Sequence, residues 1–183
     1  RLGSHWALAC VILAYVWWVA RSIAPSYGYS SRATRIGASI IIALAFVQIF
    51  LGGLMAGVDA GHTFNTWPLM DGTLIPNGLF LQEPWWRNLF ENVATVQFDH
   101  RLGAYILTAV ALIYAYLVRR TPQAAGAQTL AGLVLLQASI GVVTLIEAVP
   151  LPLGLLHQFG AVVVLSYAVT HLRSMRRPLP IVA

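Results

Sequence analysis

Five predominantly apolar runs divide this chain, at about residues 4–22, 36–58, 98–118, 127–147 and 154–173. At about 1.5 Å of helical rise per residue, each can cross the roughly 30 Å of hydrocarbon in a bilayer. Composition agrees: 58% of the 183 residues are hydrophobic, 9% are charged, and the mean hydropathy is +0.74, values outside the range of soluble domains. The expectation is an all-α integral membrane protein with five transmembrane helices.

Charge sets an expected orientation. When the five spans alternate, Arg21, Arg32, Arg35, Arg119, Arg120, Arg173, Arg176 and Arg177 share one side, which the positive-inside rule makes cytoplasmic. All six acids, Asp59, Asp71, Glu83, Glu91, Asp99 and Glu147, fall on the other side with only Arg1, Arg87 and Arg101. The net charge of +5 then follows from topology, so no nucleic-acid partner is expected. Eleven arginines without a lysine suggest a GC-rich bacterial genome. The expected location is a bacterial inner membrane, multi-pass, with residues 59–97 on the periplasmic side.

Three histidines mark the outer ends of three runs: His5-Trp-Ala-Leu-Ala, His100-Arg-Leu-Gly-Ala and His157-Gln-Phe-Gly-Ala. An imidazole is costly in hydrocarbon unless it binds something. The small residues at i+3 and i+4 clear one helix face, where a flat macrocycle could rest while the imidazole reaches a central iron. The pattern suggests heme between helices. The alternative is a pair of hydrogen-bonded histidines lining a bundle interior, with His5 a structural interfacial residue.

An internal repeat is visible. Aligning His5 with His157 also aligns Ala9 with Ala161, Val11 with Val163, Leu13 with Leu165, Tyr15 with Tyr167 and Arg21 with Arg173. If each helix closes a four-helix unit, residues 1–35 are the last helix of one unit plus an inner linker. Residues 36–183 are then a complete second unit. Arg1 is no initiating methionine and the first run begins at once, so a piece of a longer protein is expected and no signal peptide is claimed. Cys10, the only cysteine, rules out an internal disulfide and, lacking a Cys-x-x-Cys-His pattern, a covalently attached c-type heme; it reads as a small core residue.

Turn-rich segments at 23–35 and 119–128 form the expected inner loops. The outer segment 59–97 is far longer and holds Asn65-Thr-Trp-Pro-Leu-Met-Asp-Gly and Pro84-Trp-Trp-Arg-Asn-Leu-Phe-Glu-Asn. The second piece reads as a short interfacial helix starting at Pro84. Either it belongs to an aromatic belt or the segment is a lid over the outer mouth of the helices.

The stretch Ala56-Gly-Val-Asp-Ala-Gly-His-Thr-Phe-Asn-Thr-Trp-Pro-Leu-Met-Asp-Gly, with Arg87-Asn-Leu-Phe-Glu-Asn, Val96-Gln-Phe-Asp-His-Arg and Leu156-His-Gln, resembles the C-terminal half of the heme A synthase family. The start Arg1-Leu-Gly-Ser-His resembles the beginning of that family's fourth helix. The resemblance implies part of a duplicated eight-helix protein whose last four helices here form an antiparallel heme-binding bundle. It implies oxidation of the C8 methyl of heme O, through hydroxymethyl steps, to the formyl of heme A. By the same resemblance His100 and His157 are axial ligands of a heme b cofactor, and His5 is a ligand of the substrate heme O. The main catalytic residues would then lie in the other half, leaving this piece inactive alone. The implied partners are heme O, heme O synthase, a membrane electron acceptor and membrane lipid. The competing function is a membrane cytochrome b that only transfers electrons, for which paired histidines serve equally well; the long outer loop favours the synthase.

Other polar residues carry weaker readings. His62 reads as a solvated loop residue and His171 as a snorkelling one near the inner interface. Asp99 is expected to cap its helix, with a role behind His100 as the alternative. Arg87 and Arg101 stand where heme propionates would emerge, and either salt-bridging those groups or ordinary interfacial anchoring fits them.

Overall fold

The computed structural model describes residues 2–23 and 29–175. The inner segment expected at 23–35 lies outside the described residues at 24–28, as do Arg1, Arg176 and Arg177. Five helices are long and apolar enough to cross a membrane: α1 (Leu2–Ile23), α2 (Arg32–Gly57), α4 (Val93–Leu117), α5 (Ala124–Ile146) and α6 (Leu151–Arg173). One short helix, α3 (Asn88–Glu91), lies in the connection between α2 and α4. Among the described residues the chain is helical with no strand, and isolated bridge positions such as Met70 with Thr73 are the extent of its extended pairing. It is a multi-pass membrane protein.

Most helices begin several residues before their apolar runs, because a helix starts where its first amide groups find acceptors rather than where hydropathy rises. Ser31 caps α2 through the Thr34 amide, and Asn92 caps α4 through the Thr95 amide. Asn92 is thus the cap expected of Asp99, which sits about two turns inside α4. The α5 helix starts at Ala124, so Gly126, expected in a loop, is helical. Its missing side chain makes room for the His171 ring, since a Cβ there would come 2.5 Å from Nδ1.

The packing order places the site. The α2 helix packs against α4 and α6, and α5 packs against the same two helices, closing a ring α2, α4, α5, α6. In that ring α4 and α6 occupy opposite corners. Its shared core is built from Ala38 and Ile41 of α2, Leu107, Ala111 and Tyr114 of α4, Ala127, Leu130 and Val134 of α5, and Val164 and Ala168 of α6. Alanines recur in it on each helix and larger neighbours fill the gaps between them, a mixture that lets helices come into close contact inside lipid.

The α1 helix docks on the outside of this ring, against α2 and α6, with Cys10 and Ala14 buried against Ala45, Ile49, Leu165 and Val169. Its N-terminal end crosses α2 at Gly3 and Gly53, where a Cβ on Gly53 would come 2.6 Å from the Gly3 Cα. Toward its other end Trp17 Nε1 donates to Thr170 Oγ1 at 2.8 Å and the Arg173 guanidinium stacks 4.5 Å over the Trp18 ring.

Candidate heme-binding site

His100 and His157 lie about two turns into α4 and α6, on the opposite corners of the helical ring. Their imidazoles meet: the ring centroids stand 6.4 Å apart with the planes at 80°. An imidazole nitrogen binds a transition metal at about 2 Å and lies about 1 Å from its own ring centre, so two imidazoles on opposite faces of one iron have centroids roughly 6 Å apart. The observed separation fits that figure.

The donor set also fits a heme. Among the described residues no three His, Cys, Asp or Glu side chains converge as a metal cluster would require, which leaves a pair of imidazoles. A tetrahedral zinc site needs three or four protein ligands, whereas a porphyrin brings four nitrogens of its own and asks the protein for one or two axial groups. Nε2 of His157 has no hydrogen bond among the described residues, while its Nδ1 lies 3.0 Å from Gln137 Nε2. The nitrogen left open is the one a metal would take.

Over residues 1–169 the chain matches the family described as cytochrome oxidase assembly protein (COX15-CtaA). The chain belongs to this family. It is 47% identical to the heme A synthase of Brucella anthropi over 181 residues, covering 96% of this chain and 51% of that protein. The heme A synthases of Brucella ovis and Brucella abortus are each 48% identical with the same coverage. The chain therefore spans about half the length of the curated relatives it matches. No solved structure matches it.

In this cytochrome oxidase assembly family chain some of the other polar candidates fall where the sequence led one to expect and others do not. Arg101, next to His100, is 9% exposed, and its guanidinium is spent on the outer loop. Nη1 donates to the carbonyl oxygens of Thr66 at 2.9 Å and Leu69 at 3.3 Å, and Nη2 donates to Phe64 at 2.7 Å. Gln97, wholly buried, donates to the same Phe64 oxygen. Asn65 ties the loop onward to α5 through the Leu145 carbonyl. The segment 58–92 is thus fastened across the N-terminal end of α4 and the C-terminal end of α5, and Arg101 Nε is buried without a partner of its own.

Arg87 is exposed and paired with Glu91 one turn on. Trp85 and Trp86 are exposed in the short 3-10 turn that precedes α3. Asn88 and Asn92 staple this region to Gln82 and Gly78 through their amide groups. His62 is exposed in a turn. His5 is exposed on α1, outside the ring of four helices.

His171 corrects the snorkelling expectation. It is buried, and its Nε2 lies 2.9 Å from the Tyr114 hydroxyl. Burial removes water as a partner, so the tyrosine supplies the hydrogen bond that an interfacial histidine would take from solvent.

The glycines three residues after each histidine also serve another purpose than the one expected. Rather than opening a face for the macrocycle, Gly103 and Gly160 receive the side chains of Gln48 and Gln137, whose Oε1 atoms lie where a Cβ would stand. These two glutamines are the residues that hydropathy reading missed. A signal was present: Gln48-Ile-Phe-Leu-Gly52 and Gln137-Ala-Ser-Ile-Gly141 place a glutamine and glycine at equal spacing on the helix preceding each histidine helix.

Proposed function

We propose that this chain is the C-terminal part of a heme A synthase, which oxidises the C8 methyl of heme O to the formyl of heme A, and that α2, α4, α5 and α6 hold a heme b between His100 and His157. The observation that carries this reading is the 6.4 Å meeting of two imidazoles from opposite helices, in a chain of the cytochrome oxidase assembly family. The heme supplies one-electron chemistry when bound. The protein's own part is to fix its axial ligands, keep lipid and water from them with the packed core, and close the outer end with the loop 58–92.

On this reading the four helices are an antiparallel bundle, and α1 closes the other half of a duplicated eight-helix protein. The short links 118–123 and 147–150 support the first point, since connections of that length join antiparallel neighbours. The split between 1–35 and 36–183 is supported by α1 packing outside the shared core. His5 belongs to the substrate side of the protein and ligates heme O together with residues beyond this chain. Heme O synthase, a membrane electron acceptor and membrane lipid are the partners this chemistry calls for. The main catalytic residues lie in the other half, so this chain alone is inactive.

Pigment extraction tests the assignment. The purified chain should carry close to one heme B, unaffected by His5→Ala, and should not convert heme O. The full-length protein should yield heme B together with heme O or heme A, and lose turnover with His5→Ala. Heme B alone in the full-length protein would instead favour an electron carrier.

Orientation follows from the arginine bias: the histidine ends and the loop face the periplasm of a bacterial inner membrane. With Cys10 replaced, Thr73→Cys should react with an impermeant thiol reagent in intact cells and Thr121→Cys should not. Equal labelling would overturn the topology.

A further inference from the structure

The polar groups nearest the two histidines are amides, and their arrangement occurs twice. Gln48 of α2 reaches His100, and Gln137 of α5 reaches His157. Each glutamine Nε2 donates to the backbone carbonyl oxygen of its histidine, at 3.0 Å and 2.7 Å. The same nitrogen lies against the histidine Nδ1, at 3.1 Å and 3.0 Å. Both Oε1 atoms are buried without a hydrogen-bond partner.

Glycines shape each cradle. Gly103 and Gly160 seat the amide oxygens, and Gly52 and Gly141 floor the imidazoles, with a Cβ there 3.2 Å and 2.7 Å from the Cε1 of His100 and His157. One pair of helices, α2 with α4, and a second pair, α5 with α6, thus build the same device: a glutamine and glycine four apart facing a histidine and glycine three apart.

We propose that Gln48 and Gln137 are positioning residues for the two heme ligands, setting the tautomer and the plane of each imidazole; this rests on the ligand reading above. A neutral imidazole that binds metal through one nitrogen carries its proton on the other, and the partner of that proton fixes the ring. As the amides stand, Nε2 donates to Nδ1, which places the ring proton on the histidine Nε2. Binding iron at Nε2 moves the proton to Nδ1 and sets two donors face to face. A half-turn of the amide brings Oε1, the acceptor left without a partner, to the Nδ1 proton; it gives up the bond from Nε2 to the histidine carbonyl oxygen, and the side chain must draw back from that oxygen as it turns. The histidine carbonyl keeps its bond within the helix. On the His100 side the turn also withdraws an amide nitrogen that stands 3.4 Å from the ring Nε2. Both ligands are then held by the same group, with their planes near the 80° seen between the rings.

Electron paramagnetic resonance of the ferric, heme-loaded protein reads the plane angle directly. Near-perpendicular imidazoles give a single large-g signal, and near-parallel ones a rhombic spectrum at smaller g. The wild-type chain should show the large-g form. Gln48→Leu and Gln137→Leu should each move it toward the rhombic form and raise the heme midpoint potential, since an imidazole that loses its Nδ1 acceptor donates less to iron. Gln137→Glu, which keeps an acceptor, should retain the large-g signal and lower the potential. If a leucine variant loses heme, the matching glutamate variant should restore it, and failure to do so overturns the proposal. Leucine variants with unchanged spectrum and potential overturn it while leaving the ligands in place. A wild-type chain without bis-histidine heme would instead bring down the ligand reading, and this proposal with it.

Discussion

His100→Ala or His157→Ala should each abolish the low-spin heme spectrum of the purified membrane protein. Six-coordinate iron needs both imidazoles, and removal of one leaves a five-coordinate, high-spin iron or no heme at all. The two losses should be similar in size, because the histidines sit at matching depth on α4 and α6 with equivalent glutamine contacts. Imidazole added to either variant should restore the low-spin spectrum by filling the vacated side. Two other histidines serve as controls. His62→Ala should change nothing, since the residue is exposed in a turn. His171→Ala should keep the spectrum but destabilise the protein, because it leaves the buried Tyr114 hydroxyl without its partner at a cost of about 1–3 kcal/mol. Unchanged reduced spectra in both the His100 and His157 variants would remove the ligand assignment.

How much of this could be read from the chain depends on which physical constraint wrote each feature. The five spans were legible because hydrocarbon thickness demands an apolar run of minimum length, and all five appear as helices. Their starts were not, because capping by Ser31 and Asn92 depends on local side-chain geometry rather than hydropathy. His100 and His157 stood out as polar groups inside apolar helices. Gln48 and Gln137 were equally polar and equally placed, yet their partners lie 52 and 20 residues away, a separation that no local motif announces. The contacts of Arg101 and His171 were hidden for one shared reason. Position near a span end suggests interfacial anchoring or snorkelling for such side chains, and it does not announce that the fold turns them inward to buried partners.

Arg101→Met should free the outer loop and weaken heme retention without removing a ligand. The guanidinium binds three loop carbonyls, of Phe64, Thr66 and Leu69, and a hydrogen bond from a charged donor contributes about 1.5–3 kcal/mol net of its exchange with water. Methionine keeps most of the stem and its packing, so the change isolates the polar contacts. With Gln97 still on Phe64 and Asn65 still on Leu145, and with Asn88 and Asn92 still holding the far end, the loop should open between these anchors, and a net loss on the order of 3 kcal/mol is expected. Limited proteolysis should then cut within residues 66–69 many times faster than in the wild type, while cleavage near Asn88 and Asn92, held by their own amide bonds, stays slow. The ferric spectrum should remain low-spin, because His100 keeps its place on α4. Faster heme loss to an acceptor protein should accompany the opening, as water and detergent reach the outer side of the site. If instead proteolysis is unchanged and only the heme potential moves, Arg101 acts on the propionates, and the loop is held by its asparagines and Gln97 alone.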